Sequence, residues 1–337
     1  MAVAGAFTWQ DGERRIRFGA GLAVKVHELV PEELFGGFTL LTTERHDDAA
    51  PGLVDAAARV LHVPEGRVDE ISAELLDGAG EDPLVAVGGG RVIDTAKAIA
   101  GVTGAPCAAL PTTLSGAEMT GFHRTPRGVD DARWVRPALV LADPDLMVSA
   151  PAPRLAATAM NALAHAMEAL YAPLAAPVPE LASLRAAELI GEQLPRDDPD
   201  RSELALAALL AGYASGASGI AGHHAICQTI VRVCGTPHAE TNAVMLPHFA
   251  RLMIGRAPGP LGQFAAALGD PAGDPAAAAG RIAKLAARCG HTRLSTLGVT
   301  EEQLAVVVRQ VQSHPALGAT PEAPDADELL ALLEGAL

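Results

Sequence analysis

Leu84-Val-Ala-Val-Gly-Gly-Gly-Arg-Val-Ile-Asp-Thr-Ala-Lys97 is the stretch from which the fold can be read. Four strand-like apolar residues meet three consecutive glycines, and a helical pattern starts directly after them. Gly88, Gly89 and Gly90 carry no Cβ, so the chain can turn sharply there and a ligand can come close to the peptide groups. The helix that follows points its free N–H groups and the positive end of its dipole at whatever lies over the turn. A pyrophosphate suits that geometry, although a bare strand-to-helix turn would use the same residues. The spacing is not the G-x-G-x-x-G of the ordinary dinucleotide fingerprint.

Outward from this turn, strands and helices alternate. Residues 6–18 read as a short strand or hairpin, and Phe18-Gly-Ala-Gly21 leads into a helix reaching Leu29. Phe38–Thr43 reads as a strand, Leu53–Leu61 as a helix, the region of Val68 as a weaker strand and Ile71–Leu76 as a helical piece. Leu84–Val87, a helix from Val92 to Gly101 and a short strand at Ala108–Leu110 complete the series. Such alternation indicates a doubly wound parallel sheet. After Asp143-Pro-Asp145 the rhythm changes to three-to-four-residue apolar spacing. Helices are expected at Leu155–Tyr171, Glu180–Gln193, Ser202–Cys227, Leu261–Leu268, Pro275–Cys289, Glu301–Val311 and Ala326–Leu337. Prolines mark loops at 173–179, 195–199 and 258–260. The reading is α/β plus all-α: a nucleotide-binding domain over 1–150 and a helical substrate domain over 151–337.

Composition narrows the function classes. A chain of 337 residues with 49% hydrophobic residues can bury two cores. A net charge of −15 without a lysine- or arginine-dense face argues against nucleic acid as a partner. Cys107, Cys227, Cys234 and Cys289 form no C-x-x-C pair, which suits a reducing cytoplasm. The first residues lack a signal-peptide pattern, and no apolar run reaches the ~20 residues of a membrane helix. The expectation is a soluble cytoplasmic protein with a small-molecule substrate.

The helical half carries polar residues that a helical core does not need. Asn161 and His165 are four apart and share a helix face, as do His224 and Gln228. His238 opens a further segment after Cys234-Gly-Thr-Pro237. Three imidazoles and two amides among small residues suggest a lined cleft. His123 and Arg124 are weaker candidates for substrate contact, and His223 and His248 read as structural.

These motifs resemble the iron-containing alcohol dehydrogenase superfamily. The glycine turn is similar to its GGG-S-x-x-D-x-x-K pattern, with Arg91 in place of serine and with Asp94 and Lys97 retained. Asn161-x-x-x-His165, His224 and His238 stand where the iron enzymes carry Asp-x-x-x-His and two more metal-binding histidines. Pro111-Thr-Thr-Leu-Ser-Gly-Ala-Glu-Met-Thr120, Met160–His165, Glu168–Pro173, Gly222–Cys227 and Thr236–His248 look most like the maleylacetate reductase branch.

The resemblance implies a dehydroquinate synthase-like, iron-type alcohol dehydrogenase fold, a homodimer, and NAD or NADP as cofactor. Gly88, Gly89, Gly90 and Arg91 would hold the pyrophosphate, Asp94 would belong to the same cofactor-binding turn, and Thr112 and Thr113 would bracket the nicotinamide ribose. Thr42 and Thr43 occupy the place of the usual ribose-reading acid, followed by Glu44 and Arg45, so NADP is open as well as NAD. The neutral Asn161 removes the one anionic ligand of the iron site, so no metal is expected. His165, His224, His238, Asn161 and Gln228 are then the catalytic candidates: imidazoles for charge and proton delivery, amides for hydrogen bonds to a developing oxyanion. A metal-independent reductase of a small unsaturated or keto acid follows. Because the resemblance implies histidine where Gln228 stands, a lyase or cyclase on the same scaffold is the alternative, and a nucleotide-binding pseudoenzyme a third.

Overall fold

The computed structural model describes residues 5–26, 37–45 and 51–337. It divides into two compact units, Met1–Ser149 and Ala150–Leu337. The first unit runs β1 (Phe7–Asp11), β2 (Arg14–Phe18), β3 (Thr39–Thr42), α1 (Pro51–Ala56), β4 (Arg59–His62), α2 (Val68–Ala79), β5 (Leu84–Gly88), α3 (Gly90–Thr103), β6 (Cys107–Pro111), β7 (Leu139–Ala142) and the short α4 (Pro144–Met147). The strands form one sheet in the order β1-β2-β7-β6-β5-β3-β4. Among the described residues only the β1–β2 hairpin is antiparallel; its register pairs Asp11 with Arg14 around a two-residue turn with Gly12 at φ +60°. Every other pairing is parallel.

The two faces of this sheet show the strand period directly. Leu84, Ala86, Cys107 and Ala109 face a core shared with Ile71, Val92, Ile93 and Ala96. Their neighbours Val85, Val87, Ala108 and Leu110 face the opposite core, with Leu53, Leu139 and Leu141. A sheet covered on both sides needs apolar residues at every position, which is why β5 and β6 read as continuous apolar runs.

The structure amends the reading of this unit at several points. The helix expected over Leu53–Leu61 ends at Ala56, and Arg59–His62 is instead the edge strand β4. Only Val60 and Leu61 of that strand reach the cores, too few to separate a strand from a helical turn by periodicity. Val68 opens α2 rather than a strand, because Asp69 and Glu70 suit a helix N-terminus and outweigh the β preference of one valine. The strand β7 was not anticipated; it supplies the parallel partner that joins β2 to β6. Of the helix expected from Gly21 to Leu29, residues 27–29 lie outside the described residues; 21–25 form turns and Val26 is helical.

The second unit is helical throughout: α5 (Ala152–Ala169), α6 (Pro177–Gln193), α7 (Arg201–Ser218), α8 (Gly222–Cys234), α9 (His238–Met253), α10 (Pro258–Ala267), α11 (Pro275–Ala286), α12 (Glu301–Gln312) and α13 (Ala326–Ala336), with short 3-10 turns between some of them. Helix α5 is buried on all sides from Leu155 to Ala169 apart from half-buried His165, and α6, α7 and α9 pack against it. Eight alanines among its 18 residues allow those neighbours close approach. Asn161 and Glu168 are therefore polar groups set deep in the unit.

Here too the structure amends the sequence reading. The single helix expected over Ser202–Cys227 is two helices bent by 103°. Gly219, at φ +94°, makes the corner with a backbone conformation closed to other residues. Pro258–Pro260 is not a loop but the first turn of α10, where a missing N–H costs nothing. Helix α9 was concealed by Pro247 inside it. No single helix among the described residues is long and apolar enough to cross a membrane.

Candidate active site

In the N-terminal unit the sheet reverses its winding direction between β5 and β3, the position at which ligands gather beyond the strand ends of open α/β sheets. Gly88 ends β5, Thr43 follows β3, and Thr112 follows β6. Gly89 is the N-cap of α3 in an extended conformation, and no side chain caps the helix. The first-turn N–H groups of a 14-residue helix are thus presented beyond the sheet, as an anion requires. None of the three glycines is in the left-handed region. At Gly88 packing demands the missing Cβ, which would lie 2.6 Å from Val92 Cγ2; at Gly89 and Gly90 a Cβ would make tight contacts, 3.1 Å from Thr113 Cγ2 and 3.2 Å from Ser115 Oγ.

The segment after β6 is therefore seated on the glycine turn. The Thr112 N–H donates to the Gly88 carbonyl at 3.0 Å, and the Thr112 hydroxyl is buried with no hydrogen-bond partner. Arg91 is half-buried in the first turn of α3. Asp94 is turned to the fully buried Lys97, whose Nζ lies 2.8 Å from its carboxylate and also donates to the Ala117 and Thr120 carbonyls. The lysine of the motif thus pins the 112–120 segment to α3. Thr43 is half-buried, while Glu44 and Arg45 are exposed. His123 has one ring nitrogen 3.1 Å from the Arg124 carbonyl and the other 3.1 Å from that of Arg133.

In the helical unit, His165 from α5 and His224 from α8 stack with ring centroids 4.2 Å apart and planes 20° apart. Nδ1 of His165 lies 3.1 Å from the Ser215 hydroxyl of α7. Nδ1 of His224 lies 2.5 Å from a carboxylate oxygen of Glu168. The same carboxylate accepts the backbone N–H groups of Ala221, His223 and His224, the open end of α8. Burial pushes the Glu168 carboxyl up, against the lowering effect of those N–H donors and of the neighbouring histidines. Burial lowers both imidazoles of the stack, with His238 a further lowering influence on each, and takes His224 to about 3.

His238, the first residue of α9, is joined to this group through Asn242. The Asn242 amide lies 3.2 Å from His238 Nε2 and its oxygen accepts from His223 Nε2 at 3.0 Å. His223 is wholly buried and lowered to about 3 by that burial, in keeping with a structural part. Asn161 is buried one turn before His165, and Gln228 is half-buried one turn after His224. His248 lies further along α9, half-buried and outside this group. Glu168, Ser215 and Asn242 stand in the sequence only as parts of longer stretches, with no motif of their own. Glu168 had a signal, a carboxylate three residues after His165 in an otherwise apolar helix.

The model of the iron-containing alcohol dehydrogenase family matches residues 17–151, and that of the C-terminal part of the Fe-containing alcohol dehydrogenase family matches residues 155–337. The chain belongs to the iron-containing alcohol dehydrogenase family. Among relatives, it is 37% identical over 286 residues to maleylacetate reductase 2 of Cupriavidus pinatubonensis, covering 76% of this chain and 77% of that one. The crystal structure of maleylacetate reductase from Agrobacterium tumefaciens superposes with a TM-score of 0.84 at 29% identity over 98% of both chains. Sulfoacetaldehyde reductase from Bifidobacterium kashiwanohense, solved in complex with NAD+, gives 0.80 at 26% identity over 98% of this chain and 99% of that one. These relatives place the chain in the maleylacetate reductase branch of the family, as the motifs imply, and offer no support to a lyase or cyclase.

The iron that gives the family its name is a poor match for the side chains in this chain. Zinc and iron bind imidazole nitrogens at about 2.0–2.1 Å, in the plane of each ring. Rings stacked 4.2 Å apart with planes 20° apart share no point within that reach. The one carboxylate nearby, Glu168, is already engaged by four donors, and Asn161 brings no charge. No group of three or more His, Cys, Asp or Glu side chains among the described residues is arranged to hold a metal ion. A nicotinamide dinucleotide does match what the N-terminal unit presents: an uncapped helix start, Arg91 beside it and a buried threonine hydroxyl awaiting a partner.

Proposed function

We propose that this chain is a metal-independent NAD(P)H-dependent reductase that acts on maleylacetate or a similar small unsaturated or keto acid. The observation that carries this reading is the stacked His165–His224 pair beside a neutral Asn161, in a chain 37% identical to a maleylacetate reductase. A bound nicotinamide supplies the hydride. Gly88–Arg91 and Thr112 hold the dinucleotide, with Thr113 packed under Gly89 to keep the turn in place and Thr43 near the ribose. In the helical unit, His165, His224 and His238 carry or deliver the proton, and Asn161 and Gln228 donate hydrogen bonds to the oxygen that gains charge.

A small dicarboxylate suits this unit better than a neutral alcohol. Imidazoles hydrogen-bonded to Ser215, Glu168 and Asn242 are pre-oriented, and approach of an anion favours their charged form in a site that otherwise keeps them neutral. Four free cysteines, three of them buried, support a reducing compartment such as the cytoplasm, and a homodimer belongs to the same reading. The test is oxidation of NADH and of NADPH by the purified chain with maleylacetate, alongside titration of each cofactor alone. Turnover with saturable cofactor binding is expected. Saturable binding without turnover on any keto or unsaturated diacid overturns the substrate class, and no binding overturns the reductase reading itself.

A further inference from the structure

The buried carboxylate of Glu168 does more than close a helix end. Two donors reach each of its oxygens: the His223 and His224 N–H groups at 2.7 and 3.3 Å on Oε1, and the Ala221 N–H and His224 Nδ1 at 3.1 and 2.5 Å on Oε2. Three of these are backbone N–H groups that can only donate, and a carboxylate so surrounded acts only as acceptor. The fourth contact fixes a proton on His224 Nδ1. In the neutral ring Nε2 is then the bare nitrogen, and it is buried with no hydrogen-bond partner, in a residue 1% exposed. A buried orphan of this kind carries a cost that a native structure retains for a purpose.

We infer that Glu168 is a positioning residue that locks His224 with one proton on Nδ1, so that Nε2 is the nitrogen that takes up a proton from water and passes it to the reacting acid. This rests on the proposed reductase function for the part that concerns turnover. It distinguishes His224 from its stacked neighbour. His165 meets a hydroxyl, which can donate or accept, so its tautomer is free to change; His224 meets a carboxylate, so its tautomer is set. The 103° corner at Gly219 serves the same end by turning the first N–H groups of α8, and His224 with them, onto Glu168. A pure helix cap needs only the backbone contacts; the ring contact is the extra element.

Glu168→Gln separates the two roles. The glutamine oxygen still accepts from the His223 and His224 N–H groups, while the amide that replaces Oε2 gives up the Ala221 N–H contact, donates to Nδ1 and forces the proton of His224 to Nε2. Ring nitrogen NMR on 15N-histidine protein, with His224 assigned through His224→Gln, is expected to show Nδ1–H and bare Nε2 in the parent, and the reverse in the variant. With maleylacetate and reduced cofactor, kcat is expected to fall by about 100-fold or more, as for other histidines forced into the wrong tautomer, while cofactor binding stays within about twofold. Nε2–H in the parent overturns the inference whether or not the variant folds. So does a folded variant whose kcat stays within about threefold of the parent. A parent with bare Nε2 that leaves maleylacetate untouched upholds the tautomer lock and overturns only the substrate reading.

Discussion

His165 and His224 lie face to face, centroids 4.2 Å apart, although they come from helices α5 and α8 and are separated by 59 positions (224 − 165). Two stacked imidazoles cannot aim their nitrogens in plane at one ion, and His224 opposes the protonation of His165.

The purified chain is accordingly expected to hold no stoichiometric iron or zinc and to keep full activity after treatment with a chelator. Asn161→Asp restores a negative charge beside the imidazoles and should raise affinity for divalent metal. Elemental analysis of parent and variant checks both statements. One tightly held, chelator-resistant metal per parent chain would refute the first; a variant that binds no more metal than the parent would refute the second.

Glu118 makes stability depend on pH. Its carboxylate is wholly buried, neither oxygen has a hydrogen-bond partner, and desolvation raises it from 4.5 to about 7. The folded chain therefore binds this proton more tightly than the unfolded chain. Its contribution is present below about pH 4.5 and is lost as pH rises through about 7. The loss is on the order of 2–4 kcal/mol above that range. Glu118→Gln should raise the melting temperature at pH 8 and flatten the decline of stability between pH 5 and 7. Parallel pH profiles for parent and variant would show that the carboxylate has found a partner.

The corner at Gly219 should be sensitive to any side chain. Its φ of +94° and ψ of −175° are open to glycine, and a Cβ there meets nothing within 4 Å. Gly219→Ala therefore tests backbone strain alone. It should destabilise by about 1–3 kcal/mol, read as a shift in the denaturant midpoint at unchanged m-value. A neutral outcome would mean that α7 and α8 can join by another path.

Gln228 stands one helical turn from His224, where the resemblance implies a histidine. In a reductase it positions the acid, so Gln228→His should leave hydride transfer measurable or improve it. One misplaced hydrogen bond in a dry site is worth on the order of 1–3 kcal/mol, so changes should stay within about ten- to a hundredfold in rate. Steady-state assays on maleylacetate with both cofactors check this. A variant that loses all turnover would show that the glutamine shapes a pocket for other chemistry.

Periodicity and turn chemistry made most of the fold legible. The four-residue apolar run into Gly88–Gly90 and the helix behind it were readable because each depends on local backbone freedom and on apolar residues recurring at fixed intervals. The i, i+4 pairs Asn161–His165 and His224–Gln228 were readable for the same reason. What stayed hidden depended on partners distant in the chain. Arg59–His62 is a strand because β3 offers its edge, and Leu139–Ala142 because β2 and β6 flank it. Helical spacing ran straight through Gly219, whose corner is needed only because Glu168, more than fifty residues earlier, waits for the N-terminus of α8. The sequence by itself determined which chemical groups the helical unit would carry. Only the tertiary structure decided that two imidazoles stack and that one carboxylate sets the proton on His224, because such contacts are made between helices, and no spacing along a single chain encodes them.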